Sequence, residues 1–105
     1  MSQVETLPEL DLLWHLRIYV VGGAARSQAA VANLRGLCEN HFGHNYRIEV
    51  IDLSKEPKAA QADQVIVIPT TVRVSPLPKI QVIGDLSDSE KAKRALGLPP
   101  KCNND

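Results

Sequence analysis

From Leu16 to Leu53 a strand pattern, a helix pattern and a second strand pattern follow one another with only short breaks between them. Leu16 to Val21 is rich in β-branched and aromatic side chains and ends at Gly22-Gly23, which suits a buried central strand. From Ser27 to Phe42 the apolar residues Ala30, Val31, Leu34, Leu37, Cys38 and Phe42 recur at every third or fourth position, the spacing of one helix face. Gly36 inside that run costs about 1 kcal/mol relative to alanine, and Gly43 stops the helix. Tyr46 to Leu53 alternates Tyr46, Ile48 and Val50 with Arg47, Glu49 and Ile51, the period of a strand. Two strands joined through a helix lie parallel across a right-handed crossover. The unit is βαβ, and it confines the chain to α/β folds.

The second half continues the pattern. Pro57 to Gln64 is Ala-rich and short, a helix of one or two turns opened by proline at its first position. Val65 to Ser75 supplies β-branched residues around Pro69, and Ile80 to Ile83 follows the Pro76-Leu77-Pro78 turn; these two segments are expected to pair as an antiparallel hairpin. Ser87-Asp88-Ser89-Glu90 fits a capping box, with a last helix running to about Leu96 and ended by Gly97 and Pro99-Pro100. The order of strands and helices, βαβαββα, is the thioredoxin-like arrangement. It fills one domain over 14–98, with 1–13 expected to be a flexible leader and 99–105 a flexible tail.

At 105 residues and 44% hydrophobic content the chain can build one core. Twelve basic residues balance twelve acidic ones, so no long-range field favours nucleic acid or an anionic membrane. The longest apolar runs, Ile18 to Val21 and Val65 to Ile68, fall far below the roughly 20 residues that span a bilayer. Met1 to Glu9 has no secretory pattern, which places the chain in the cytoplasm. Cys38 and Cys102 form neither a disulfide framework nor a Cys-x-x-Cys pair; Cys38 reads as a core residue and Cys102 as an exposed thiol.

Thioredoxins carry two cysteines where the first strand turns into the first helix, because a helix N-terminus stabilises a thiolate. Here that turn is Gly22-Gly23-Ala24-Ala25-Arg26-Ser27, with no thiol, so dithiol exchange is excluded. Ser27 reads as a helix cap rather than a thiol-activating hydroxyl. Pro69 stands where such folds place a cis-proline, although sequence does not reveal the isomer. His41 and His44 form His-x-x-His, but a third ligand would have to come from His15 or a carboxylate, and helix-end solvation is the simpler account. Gly22-Gly23 is followed by neither Gly-x-Gly-x-x-Gly nor a Walker lysine. Asp52, Asp63, Asp85, Asp88 and Glu90 show no spacing of an acid/base pair, and Asp85 sits in a turn. No enzyme, metal or cofactor is expected.

Four blocks carry a further signal: Tyr19-Val20-Val21-Gly22, the Ile51-Asp52 to Pro57 segment, Ile68-Pro69-Thr70-Thr71, and Ile83-Gly84-Asp85-Leu86-Ser87. In this order and spacing they resemble the KaiB family of circadian-clock adaptors, without insertion from about Leu16 to Leu98. The resemblance implies a non-enzymatic protein with two folds: a ground state, a tetramer with a rearranged C-terminal half, and a thioredoxin-like monomer that binds the KaiC ATPase ring and then captures KaiA. It implies partner contacts around Tyr46, Arg47, Glu49, Asp52 and Gln64. It also implies fold-determining roles for Gly22, Pro69, Gly84, Asp85, Ala95 and Gly97. Homo-oligomers are within its scope.

Clock members usually carry basic residues at the positions of Ala29, Gln64, Ile80 and Gln81, and a lysine at that of Glu49. A lysine-to-glutamate change tends to repel a partner built for the lysine. Ala95 and Gly97 stand where clock members tend to have glycine and aspartate. Alanine for glycine favours helix by up to about 1 kcal/mol, which tilts the chain toward the thioredoxin-like state. The alternative function is a KaiB-like module outside a clock, in stress response or histidine-kinase signalling; the sensory domains of some clock-output histidine kinases look similar.

Overall fold

The structure, a computed structural model, describes residues 14–43 and 45–98. The elements run β1 (Trp14–Val20), α1 (Ala25–Phe42), β2 (Tyr46–Asp52), a 3-10 turn (Pro57–Gln61), β3 (Thr70–Ser75), β4 (Ile80–Ile83) and α2 (Ser89–Leu96). They form one four-stranded sheet in the order β2-β1-β3-β4. β1 lies parallel to β2 with Trp14 opposite Tyr46 and Val20 opposite Asp52, so the helical crossover expected from the sequence is present. β3 runs antiparallel to β1, and β4 antiparallel to β3 with Thr70 opposite Ile83. This is the thioredoxin-like α/β arrangement.

Alternation along β1 divides the sheet into two unlike faces. Leu16, Ile18 and Val20 point to the helices and pack with Ala30, Leu34, Leu37 and Cys38 of α1 and Ala92 and Leu96 of α2. His15, Arg17 and Tyr19 point to the other face, away from α1 and α2, where Asp63 of the chain between β2 and β3 meets Arg17 and Tyr19. Trp14 stacks on Phe42 with ring centroids 4.8 Å apart and closes the lower end of the core.

Four local expectations are corrected. The strand foreseen from Val65 begins only at Thr70. Gln64 has a φ of 55°, which turns the chain; the Val65 amide bonds back to Ala60, and Ile66 is 91% exposed. Pro69 has no N–H to offer a ladder, so the β-branched run crosses to the sheet rather than joining it. The short helix is a 3-10 turn that ends at Gln61, although proline does open it. Ser27 is not the cap of α1: Ala24 holds that place, and the Ser27 hydroxyl, inside the helix, accepts from the Val21 amide at 3.0 Å. The cap of α2 is Asp88 rather than Ser87; its carboxylate accepts from the Lys91 amide at 3.1 Å, and Lys91, standing where a capping box needs a glutamate or glutamine, has no acceptor to return, so the expected box is replaced by a single cap.

Other expectations hold. Gly97 ends α2 in the left-handed region; the Ile68-Pro69 bond, whose isomer the sequence leaves open, is cis. The leader and tail, His44 and Cys102 lie outside the described residues. Among the described residues no helix is long and apolar enough to cross a membrane.

Candidate functional site

The β1–α1 turn is where a thioredoxin keeps its thiols, and here Gly22 to Ser27 fill it with none. The Ser27 hydroxyl is buried and already bonded to Val21. Cys38 sits near the C-terminal end of α1 inside the core, and burial, with Glu39 adding, pushes its thiol up to about 12. A thiol held protonated in the core is neither a nucleophile nor a redox group at neutral pH.

Polar chemistry gathers instead on the helix-free face. Arg17 projects from the centre of β1 and donates Nη1 to Asp63 Oδ2 at 2.9 Å and Nε to Glu49 Oε1 at 3.1 Å. The Tyr19 hydroxyl donates to Asp63 Oδ2 at 2.6 Å, and Lys79 Nζ to Oδ1 at 2.8 Å. Gln81 Nε2 donates to the Asp63 carbonyl. The Asp63 side chain is 1% exposed, so its charge survives only because three donors surround it. Burial alone would raise the Asp63 carboxyl, but Lys79, Tyr19 and Arg17 outweigh it and hold it at about 2. Burial likewise pushes the Tyr19 phenol up to about 12, with its bond to Asp63 adding to the rise. Burial also works against the Arg17 charge, and the bonds to Asp63 and Glu49 overcome it, so the guanidinium titrates above its ordinary range. Glu49 accepts further from His15 Nε2 at 3.2 Å, and the Arg17 bond chiefly lowers its carboxyl.

The five residues expected to meet a partner do not share one surface. Arg47 and Glu49 lie on the helix-free face beside His15 and Arg17, and Gln64 follows Asp63 there. Tyr46 and Asp52 pair with Trp14 and Val20 and so belong to the helix face. Asp52 is folded onto its own turn, accepting from the Gly22 amide at 2.9 Å, the Ser54 amide at 2.9 Å and the Ser54 hydroxyl at 2.6 Å. That makes it a tie between two loops.

Among the positions expected to set the fold, Gly84, Asp85 and Gly97 lie at turns or element ends. Gly84, with a φ of 117°, donates its amide to Pro69 O at 2.9 Å. Asp85 accepts from the Ser87 amide at 3.1 Å, and its carbonyl accepts from Asn33 of α1 at 2.8 Å. Gly97 leaves room for Arg73, whose Nη1 donates to Leu96 O at 2.9 Å; a Cβ at Gly97 would stand 2.8 Å from that nitrogen. Ala95 is exposed on α2. His41 bonds Leu37 O through Nδ1, and no cluster of three metal-ligating side chains occurs among the described residues.

Neither Asp63 as a hub nor Arg73 as a pin was foreseen. The signal for Asp63 was Arg17 and Tyr19, two polar side chains on one face of an apolar strand. A buried cation there requires a carboxylate, but pattern alone does not say which.

Comparison with known proteins gives one family. A sequence model of the KaiB domain matches residues 17–98. The circadian clock protein KaiB3 of Synechocystis sp. is 36% identical over 82% of this chain and 84% of its own length. The circadian clock oscillator protein KaiB of Synechococcus elongatus is 40% identical over 79% of this chain and 81% of its own. Among solved structures, the N-terminal domain of Synechococcus elongatus SasA superposes with a TM-score of 0.65 at 18% identity, covering 87% of this chain and 90% of that domain. Mitochondrial thioredoxin 3 of Saccharomyces cerevisiae gives a TM-score of 0.64 at 16% identity over 91% and 88%. The last two show likeness of fold.

Proposed function

The chain belongs to the KaiB family, and we propose that it is a non-enzymatic, cytoplasmic protein-binding adaptor that acts on a KaiC-type ATPase in circadian or other timing regulation. One observation carries this reading: a KaiB-family chain in a thioredoxin-like frame offers no thiol at the turn where that frame does its chemistry. What remains is surface. The partner contact we propose runs from β2 to Gln64, with Arg47 and Glu49 the outward charges on the helix-free face. Glu49 is fixed by Arg17 and His15, so it offers a carboxylate in a set position. The cognate partner then carries positive charge opposite it, since like charges at that point slow encounter and oppose docking. A KaiA-like protein would follow as a second partner. We further propose that the chain rests as a monomer in the thioredoxin-like arrangement, supported by the Asp63 hub and the Arg73–Leu96 bond.

The test is size-exclusion chromatography of the chain alone and with the KaiC-type ATPase of its host, with and without ATP. Nucleotide-dependent entry into the ATPase peak is the expected result. A chain that never shifts, or one that elutes alone as a tetramer at micromolar concentration, contradicts the reading. The likeness to the SasA domain favours a second reading, a module in histidine-kinase signalling; co-purification with a kinase instead of the ATPase would select it.

A further inference from the structure

Arg73 of β3 is only 7% exposed, and it holds its charge on the helix side of the sheet. Nη1 donates to Leu96 O at 2.9 Å and Nη2 to Pro78 O at 3.1 Å, and the guanidinium carbon lies 5.4 Å from the centre of the Trp14 ring. Two carbonyl dipoles and a π face ease a buried cation but leave its charge uncompensated. Arg17, the partly buried arginine of β1, has two carboxylates. Among the described residues Arg73 has none within ion-pair distance, and its buried Nε has no hydrogen-bond partner. A guanidinium offers five N–H donors, so acceptors are still wanting here.

Both chain segments that flank the domain join it at this corner. Trp14 is the first residue of β1, so the chain before it enters beside the guanidinium. Gly97, which stands against Arg73 Nη1, is followed by Leu98 and the chain beyond it. The two segments differ in charge. Residues 1–13 carry Glu5, Glu9 and Asp11 and no lysine, arginine or histidine, whereas 99–105 open with two prolines and carry Lys101 ahead of Asp105. Asp11 stands three positions before Trp14, a span of up to about 10 Å. Its neighbours Leu10, Leu12 and Leu13 are apolar, which suits a segment that must keep water from an ion pair.

We propose that the segment before Trp14 docks over this corner as a strap, and that the Asp11 carboxylate is the counter-charge of Arg73. Its oxygens accept from Nε and from guanidinium N–H groups that Leu96 and Pro78 leave unused, the charge-assisted pairing that arginine makes best. Charge complementarity selects this segment over the one that follows Leu98. Arg94, on the last turn of α2, is a poorer mate, because it is exposed and a carboxylate gains little from a solvated cation. The strap fastens the start of β1 to the end of α2. Arg73 faces the helices and Glu49 the opposite side of the sheet, so failure of the strap leaves the ATPase reading untouched.

The test follows the Arg73 Nε–Hε signal by NMR in the full chain, together with urea unfolding of the same samples. Asp11→Asn is expected to move that signal and to lower the folding equilibrium constant about fivefold or more. Glu5→Gln and Arg94→Gln are expected to leave the signal in place. In an Arg73→Gln background the loss caused by Asp11→Asn is expected to fall below about twofold. Should Arg73→Gln fail to fold, the Nε–Hε signal of the Asp11→Asn chain decides alone. The proposal is overturned by an unmoved signal, by an equal loss from Asp11→Asn with and without Arg73, or by an effect of Glu9→Gln in place of Asp11→Asn. A coupling that grows with chain concentration would assign the carboxylate to a second copy and overturn it as well.

Discussion

The hydroxyl of Tyr19 donates to the carboxylate of Asp63 across 2.6 Å, although 44 positions separate the two residues. Tyr19 belongs to β1, Asp63 follows the 3-10 turn, and Lys79 on the same carboxylate precedes β4. One buried side chain thus fastens the crossing segment to the central strand and to the start of the edge strand. A network of this kind contributes less through net stability than through the cost of every arrangement that leaves it half satisfied.

Asp63→Asn should therefore cost about 3 kcal/mol, since it leaves Arg17 and Lys79 without their shared counter-charge. Urea denaturation at neutral pH checks this. The pH dependence has a definite sign: the folded carboxyl sits at about 2, below its unfolded value. Its contribution, about 2 kcal/mol, is complete above the unfolded value near 3.9 and is lost as pH falls through the folded one. The difference between wild type and Asp63→Asn should shrink accordingly from about pH 5 toward pH 2.

Gly97→Ala should destabilise the chain by more than about 1 kcal/mol, because alanine is strained at a φ of 73° and its Cβ would meet Arg73. Arg73→Met removes the obstructing nitrogen, so in a double-mutant cycle the cost of Gly97→Ala should be smaller in that background. Equal costs in both backgrounds would show that only the backbone term matters.

Cys38 should not react with a thiol reagent at pH 8 in the native chain carrying Cys102→Ser. Its thiol lies in the core with its titration raised to about 12, and it should become reactive in guanidinium. Rapid native labelling would contradict the packing described.

Glu49→Lys should cost roughly 0.5–1 kcal/mol, falling as salt is added, because the lost pair with Arg17 is partly exposed and Arg17 keeps Asp63. Denaturation at low and high salt measures it. A cost of about 3 kcal/mol or more, unmoved by salt, would mean that Glu49 is part of the buried hub.

Elements with a clean period were legible in the sequence. β1 and α1 each bury one stripe, while β2 and β4 are only half-buried, and the order of the four matches the topology. Val65 to Ile68 misled because β-branched side chains report the fit to a sheet, while the backbone turn at Gln64 and the missing amide of Pro69 decide whether the segment reaches one. The caps slipped because Ser87 and Asp88 are both good caps, and the Asp85 carboxylate had already taken the Ser87 amide. Asp63 stayed hidden for a different reason. Its role depends on four donors brought from β1, Lys79 and Gln81, a convergence that exists only after the chain has folded.

On the proposed function, a thiol-free chain of this family rests in the thioredoxin-like arrangement and binds a KaiC-type ATPase from it. The most direct measurement is the association rate of labelled chain with that ATPase in ATP, over a range of ATPase concentrations. A chain already in its binding state should give one phase whose rate rises in proportion to ATPase concentration. A rate that levels off at a slow, concentration-independent step would mean that the chain must first refold, and an absence of binding would mean that its partner lies elsewhere.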